Sequence, residues 1–285
     1  MAALRSARPV LLSLVMPCYN EESTIDAAID AIDALAEQLG PGIALEIVAV
    51  DDASSDGTFS RLSHQAGARG GAFKVVRHSE NRGKGAAIQS ARKAATGDII
   101  IIQDADLEYD PVDIPRLIAP ILAGRADAVI GSRFIGGGEH RVLYFWHRVA
   151  NGILTLLSNM LTDLNLTDVE TGYKAFTRGA FANMHLTNAR FGIEPEIVAR
   201  LAQMRARVYE VPVSYYGRTY AEGKKITWRD GIAAIGHILR ARLSARSQPR
   251  LARAPDAVRG RRQTAPARRT TGVLGGQGSR ASAGA

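Results

Sequence analysis

Apolar residues along this chain fall into short continuous runs, separated by longer stretches in which they recur every three or four positions. Residues 10–16 (VLLSLVM) form such a run, which predicts a strand buried on both faces and ended by Pro17. From Glu21 to Leu39, the residues Ile25, Ala28, Ile29, Ile32, Leu35 and Leu39 lie at helical spacing, and Gly40-Pro41 stops the helix. The alternation then repeats. Strands are expected at Ile43–Val50, Phe73–Val76, Ile99–Ile102 and Asp127–Ile130, with helices at Thr58–Gln65, Gly85–Ala95 and Val112–Leu122. Short apolar strands alternating with amphipathic helices predict an α/β fold with a Rossmann-like, mostly parallel sheet and helices on both faces.

After Gly131 the rhythm changes. A Gly136-Gly137-Gly138 hinge leads into an apolar helix at Val142–Leu161, then a strand at Gly172–Phe176, a helix at Glu194–Met204 and a strand at Arg207–Val213. No Pro/Ser-rich linker separates the halves, so residues 132–243 read as a substrate-binding extension packed on the half at about 10–131. In the helix at 142–161 the apolar positions 142, 145, 146, 149, 153, 156, 157 and 160 form a stripe. Packing of that stripe on the sheet as ordinary core is the default expectation, and a lipid-facing groove is the alternative. His147, Arg148 and Asn151 interrupt the helix too much for a membrane span.

Charge modifies this picture only at one end. The 285 residues carry a formal net charge of +8, yet the first 245 hold 27 basic and 27 acidic residues. The excess lies in nine Arg and one Asp from Arg246 onward, in a segment with almost no apolar clusters that is expected to be a disordered tail over 244–285. A nucleic-acid or anionic-membrane binder acting through this tail is the non-enzymatic alternative. One cysteine, Cys18, excludes a disulfide scaffold and a cysteine-based zinc site and fits a reducing compartment. No secretory leader pattern opens the chain, so a soluble or peripheral cytoplasmic protein is expected.

The candidate chemistry sits at strand ends. QDADLEYDP (103–111) follows the Ile99–Ile102 strand, and in an extended segment Asp104, Asp106 and Glu108 would point to one side. Three crowded carboxylates repel, and a divalent Mg2+ or Mn2+ ion relieves them. A solvated acidic turn is the plainer reading. Asp51-Asp52 ends another predicted strand, where Asp52 is suited to a base or ribose and Asp56 to capping the next helix. ENRGKGAA (80–87) places Arg82 and Lys84 between glycines at a helix start, where backbone N–H groups attract anions.

MPCYNEE (16–22), VDDASSDGT (50–58), NRGKGAA (81–87), DADLE (104–108), GSRF (131–134) and ETGYKAF (170–176) resemble, in order and spacing, glycosyltransferase family 2 over about residues 10–243. The likeness is to the dolichyl- or polyprenyl-phosphate mannose and glucose synthases. The resemblance implies a GT-A fold, with a nucleotide-binding half and an acceptor-binding extension, and an inverting, metal-dependent transfer of a hexose from GDP-mannose or UDP-glucose to a polyprenyl phosphate. It implies peripheral association with the inner face of the cell membrane, and it leaves open a separate membrane protein that presents the lipid. Nucleic acid is not an expected partner.

By motif matching, Pro17, Tyr19, Glu21, Val50 and Asp52 would surround the base and ribose, with Lys84, Asp104 and Ala105 completing the nucleotide site. Asp104, Asp106 and Glu108 would hold the metal. Asp106, Arg133 and Arg218 would act at the reacting phosphate, with Lys224 and Lys225 as further phosphate candidates. Glu108 stands where mannose synthases commonly carry Gln, and Cys18 where Thr is usual. A hydroxyl acceptor in cell-envelope polysaccharide synthesis is the second reading, for which Asp168, Glu170 and Glu194 are candidate bases.

Overall fold

The computed structural model describes residues 8–136, 141–142, 144–190 and 192–218, together with the single residues 236 and 251. Seven strands form one sheet: β1 (Val10–Cys18), β2 (Ile43–Asp51), β3 (Phe73–Arg77), β4 (Ile99–Ile102), β5 (Ala128–Ser132), β6 (Lys174–Thr177) and β7 (Val208–Pro212). Their order is β3-β2-β1-β4-β6-β5-β7, and all neighbours pair parallel except β6, which is antiparallel to β4 and β5. The second half of the chain therefore inserts a strand into the sheet of the first. The expected tail at 244–285 and Lys224 and Lys225 lie outside the described residues, Leu251 apart.

Helices cover both faces. Against one lie α1 (Ile25–Leu39), α2 (Thr58–Arg69) and α4 (Ile114–Leu122), and against the other α3 (Lys84–Ala94), α5 (Phe145–Thr162), α6 (Arg178–Asn183) and α7 (Ile193–Gln203). Strand β4 shows why the apolar runs are unbroken: Ile99 and Ile101 enter one core cluster and Ile100 and Ile102 the other. All four are buried, each contributing about 1.5–3 kcal/mol of apolar burial.

Several boundaries differ by a few residues from the pattern-based expectation, and one helix is unannounced by it. Strand β1 continues through Pro17 because β4 has already ended at Ile102, opposite Val15. The amide hydrogen that proline lacks faces no partner strand there. Helix α1 begins at Ile25 rather than Glu21, since residues 21–24 form a turn bonded to a neighbouring loop. Helix α6 has no apolar repeat long enough to announce it, and Thr177 Oγ1 starts it by accepting the Ala180 amide at 3.2 Å.

Helix α5 reverses the default reading of its stripe. The residues it buries are Asn151, Leu154, Thr155 and Ser158, while Phe145, Trp146, Ile153, Leu156 and Met160 are exposed, as is Val142 just before it. Trp146 keeps 74% of its surface and Met160 73%, so this face does not pack as core.

At the edge where the parallel strands begin, Glu46 is buried and accepts hydrogen bonds from Ser13 Oγ, Lys74 Nζ (2.6 Å), Thr96 N (2.8 Å) and Thr96 Oγ1 (2.7 Å). Burial works to raise its pKa, but these donors prevail and bring it from 4.5 down to about 2. Its stabilising contribution is therefore complete above pH about 4.5 and drains away as pH falls towards about 2. Glu46→Ala strands the Lys74 and Thr96 donors and should cost about 3 kcal/mol in urea unfolding at pH 7. Its acid limb should be flatter than that of the wild type between pH 5 and pH 2, by roughly the contribution of one carboxylate.

Candidate active site

Because β1, β2 and β4 run parallel, their carboxyl ends deliver the loops 19–24, 52–57 and 103–110 to one edge, where open α/β sheets bind ligands. The first two loops are laced together. Asn20 N donates to Ser54 Oγ (3.0 Å), Ser55 N to Asn20 Oδ1 (2.9 Å), Glu21 N to Thr58 Oγ1 (2.9 Å) and Gly57 N to Glu22 Oε2 (2.9 Å). Asp56 accepts the Thr58 amide at 3.0 Å in a turn just ahead of α2, whose N-cap position is Gly57 and carries no side-chain cap, so Asp56 does not fill the capping position expected of it. Tyr19 is 40% exposed at the mouth of this edge, Pro17 is half-buried, and Glu21 is buried. The side chains of Val50 and Ala105 belong to the two core clusters, so these positions present only backbone to a nucleotide.

The glycine turn binds an anion, but that anion is Asp52. Its Oδ1 accepts the Arg82 amide (3.0 Å) and its Oδ2 the Gly83 amide (2.6 Å), while His78 Nδ1 lies 2.6 Å from Oδ1 and His78 Nε2 2.8 Å from Ser90 Oγ. The expected attraction of a phosphate to these N–H groups is thus corrected: they hold the 78–84 loop onto the end of β2.

The Lys84 ammonium also points inward, 2.9 Å from both Asp104 and Glu194. Glu194 in turn meets the buried Lys174 at 3.2 Å. Burial works to lower the Lys84 pKa, but Asp104 and Glu194 hold it well above its usual value. A side chain on Gly172 would meet an Asp104 carboxylate oxygen and push it away from Lys84, so the small residue leaves this chain of alternating charges undisturbed.

The acidic segment is not extended. Leu107 takes a left-handed conformation (φ 63°) and the chain turns through residues 105–108. Among the described residues no three His, Cys, Asp or Glu side chains converge closely enough to grip an ion as they stand. Instead, Arg218 reaches Asp106 (Nη2 to Oδ2, 2.8 Å), Glu108 (Nε to Oε1, 3.3 Å) and Glu21 (Nη1 to Oε2, 3.6 Å). Its backbone N–H and the Tyr215 hydroxyl also donate to Glu108, at 3.0 and 2.9 Å. Burial, then the charges of Asp104 and Glu108, push the Asp106 carboxyl up to about 7 against the pull of Arg218.

The donor set fits a hard divalent cation. It is all oxygen, negatively charged in excess, and already draws a chain cation between Asp106 and Glu108.

Arg133 and Asp168 change roles relative to expectation. Arg133 forms a two-pronged pair with Asp168 (Nε to Oδ2, 2.6 Å; Nη2 to Oδ1, 2.7 Å), reinforced by Asn151 of α5, and its guanidinium lies 5.0 Å from the Tyr215 ring centroid. The fork expected on a phosphate is therefore already engaged. Asp168, fully buried and spent on Arg133 and Asn151, does not serve as a base. Glu194 is likewise committed; burial would raise its pKa, but Lys174 and Lys84 lower it. Glu170 differs: its Oε1 is buried without a hydrogen-bond partner among the described residues, and burial followed by Glu194 raises its pKa to about 7.

Residues missed by the sequence reading lie behind the acidic loop. Tyr109 accepts the Gly172 amide at 3.0 Å, and Tyr173 donates to Gln103 Oε1 at 2.8 Å. Lys174, wholly buried, sits in a strand where a lysine ordinarily signals exposure.

The sequence model described as Glycosyl transferase family 2 matches residues 13–184, more than half of the chain. A dolichol-phosphate mannosyltransferase of Pyrococcus furiosus is 29% identical over 215 residues, 75% of this chain but 58% of the relative, so the chain spans under two thirds of that protein. An undecaprenyl-phosphate mannosyltransferase of Micrococcus luteus is 28% identical over 246 residues, 80% of this chain and 97% of the relative. Among solved structures, glucosyl-3-phosphoglycerate synthase of Mycobacterium tuberculosis, in complex with Mn2+, UDP and phosphoglyceric acid, superposes with a TM-score of 0.59 at 21% identity. It covers 82% of this chain and 78% of its own. At that identity the likeness establishes the fold, which is GT-A.

Two substitutions test this geometry. Asp52→Ala should speed hydrogen exchange at the Arg82 and Gly83 amides by at least about ten-fold, leaving the β4 amides protected. Asp168→Asn leaves the Arg133 charge buried without its counter-ion and should cost about 3–5 kcal/mol in urea unfolding.

Proposed function

The chain belongs to glycosyltransferase family 2, and we propose that it transfers a hexose from a nucleotide sugar to a polyprenyl phosphate, inverting the anomeric centre, with a divalent metal. The observation that carries this reading is the meeting, at one sheet edge, of a laced loop pair suited to a nucleoside with an acidic loop whose negative charge exceeds its local cations. The curated relatives named above, which act on dolichol and undecaprenyl phosphates, support the acceptor.

Asp104, Asp106 and Glu108 would hold the metal, which supplies Lewis-acid stabilisation of the departing nucleoside diphosphate. The loops at 19–24 and 52–57 bind and orient the nucleoside. Arg218, at the junction of these loops and the acidic turn, is placed to meet a phosphate with its planar fork. Arg133, paired with the buried Asp168, would hold the end of β5 against α5 behind the site. A lipid monophosphate, with a second pKa near ~6, is already an anionic nucleophile at pH 7 and requires no general base. The outward apolar face of α5, flanked by Arg141 and Arg148, would lie on the cytoplasmic surface of the membrane. No helix among the described residues is long and apolar enough to cross it.

Glu170 favours one second reading. A carboxyl with a pKa of about 7 and an unpartnered oxygen suits a base for a saccharide hydroxyl. The test incubates the protein with radiolabelled GDP-mannose or UDP-glucose, with and without polyprenyl phosphate and EDTA. One donor should give a lipid-linked, acid-labile product that EDTA abolishes and Asp106→Asn reduces by at least about a hundred-fold. Transfer to a saccharide hydroxyl with none to lipid phosphate would overturn the acceptor, and transfer unaffected by EDTA would overturn the metal.

A further inference from the structure

The cations of the chain are distributed unevenly around the acidic loop. Asp104 shares Lys84 with Glu194, so a second carboxylate already competes for that ammonium. Asp106 and Glu108 depend on Arg218; among the described residues no other cationic side chain pairs with either. The backbone carrying Arg218 is tied to the same loop. Tyr216 N donates to Glu108 O (2.9 Å), Tyr109 and Tyr215 form a β-bridge, and Arg141 Nη1 donates to Gly217 O (3.0 Å). The guanidinium can therefore leave Asp106 by side-chain rotation while its Cα stays beside the loop.

We infer that Arg218 is a specificity-determining residue that makes this site take up a metal–diphosphate complex in preference to the bare metal ion. The inference rests on the metal-dependent reading above and concerns how that site selects its ligand. A bare ion arriving at Asp106 and Glu108 must displace a guanidinium that has 2.8 and 3.3 Å contacts there, and it brings no new anion, leaving that group only the longer 3.6 Å contact with Glu21. A nucleoside diphosphate arriving with the ion brings phosphate oxygens that match the guanidinium fork, so Arg218 exchanges one set of charge-assisted hydrogen bonds for another. Binding of metal and of diphosphate are then linked through one side chain, and the linkage is reciprocal. Lys84 lacks this property because Glu194, itself held by Lys174, fixes it from behind.

The test is titration of Mn2+ into the full chain, followed by the EPR signal of the free ion, alone and with saturating UDP or GDP. The proteins compared are wild type, Arg218→Gln and Arg218→Lys, each checked by its melting curve. In the wild type, diphosphate should tighten Mn2+ binding strongly. Arg218→Gln should bind Mn2+ alone about ten-fold more tightly than wild type, the effect of removing one competing charge in a partly wet site, and should lose most of the diphosphate enhancement. Arg218→Lys, which keeps the charge without the fork, should stay near wild type for the bare ion and lose part of the enhancement. Bare-ion affinity no tighter in Arg218→Gln, or an unchanged enhancement, overturns the inference. So does the absence of Mn2+ uptake by all three proteins, which also overturns the metal reading. Normal linkage in a protein that moves no sugar to lipid phosphate would overturn only the acceptor.

Discussion

Negative charge packed into a tight turn is the constraint around which this molecule is arranged. Asp104, Asp106 and Glu108 occupy five residues of one loop, and the left-handed Leu107 folds them together rather than spreading them along a strand. Burial and mutual repulsion make that arrangement costly in water-poor surroundings, as the Asp106 carboxyl, lifted to about 7, records. Positive charge has to be brought from elsewhere in the chain. It comes from the start of α3 as Lys84 and from beyond β7 as Arg218, two positions far apart in sequence.

The remaining architecture holds that loop beside the laced loops at 19–24 and 52–57. Four isoleucines bury β4 from both sides and present the loop at a fixed height. Asp52 clamps the 78–84 turn through backbone amides and a histidine, which places Lys84 beneath Asp104. The antiparallel β6 carries Lys174, with Gly172 just before it, to the other flank, where a side chain at 172 would displace the Asp104 carboxylate. Arg133 and Asp168 form a closed pair that joins the end of β5 to α5, so the helix with the exposed aromatic face is mechanically connected to the reaction edge.

Much of this was legible from apolar spacing. Every strand was expected close to its observed position because burial on both faces leaves runs such as IIII at 99–102 that polar substitution would interrupt. The acidic loop and the Asp51-Asp52 pair were legible because carboxylates at strand ends have few structural uses. The partners were not. Nothing in local spacing says that Arg133 pairs with Asp168, that Lys174 is buried against Glu194, or that the glycine-turn amides are spent on Asp52, since each contact is set by which strands become neighbours. The outward stripe of α5 was misjudged for a related reason. Amphipathicity identifies two faces of a helix, but here the face turned to the core is the one bearing Asn151 and Thr155, which hydrogen-bond to Asp168, Arg133 and the Val169 amide.

On the proposed function, the acidic turn exchanges its internal cation for a metal ion that holds a nucleoside diphosphate. Anomalous diffraction at the manganese edge, from crystals grown with Mn2+ and a nucleoside diphosphate, tests it most directly. A peak is expected beside Asp106 and Glu108, with the Arg218 guanidinium turned onto phosphate oxygens. A manganese peak remote from these carboxylates, or diphosphate bound with Arg218 still resting on Asp106, would contradict it.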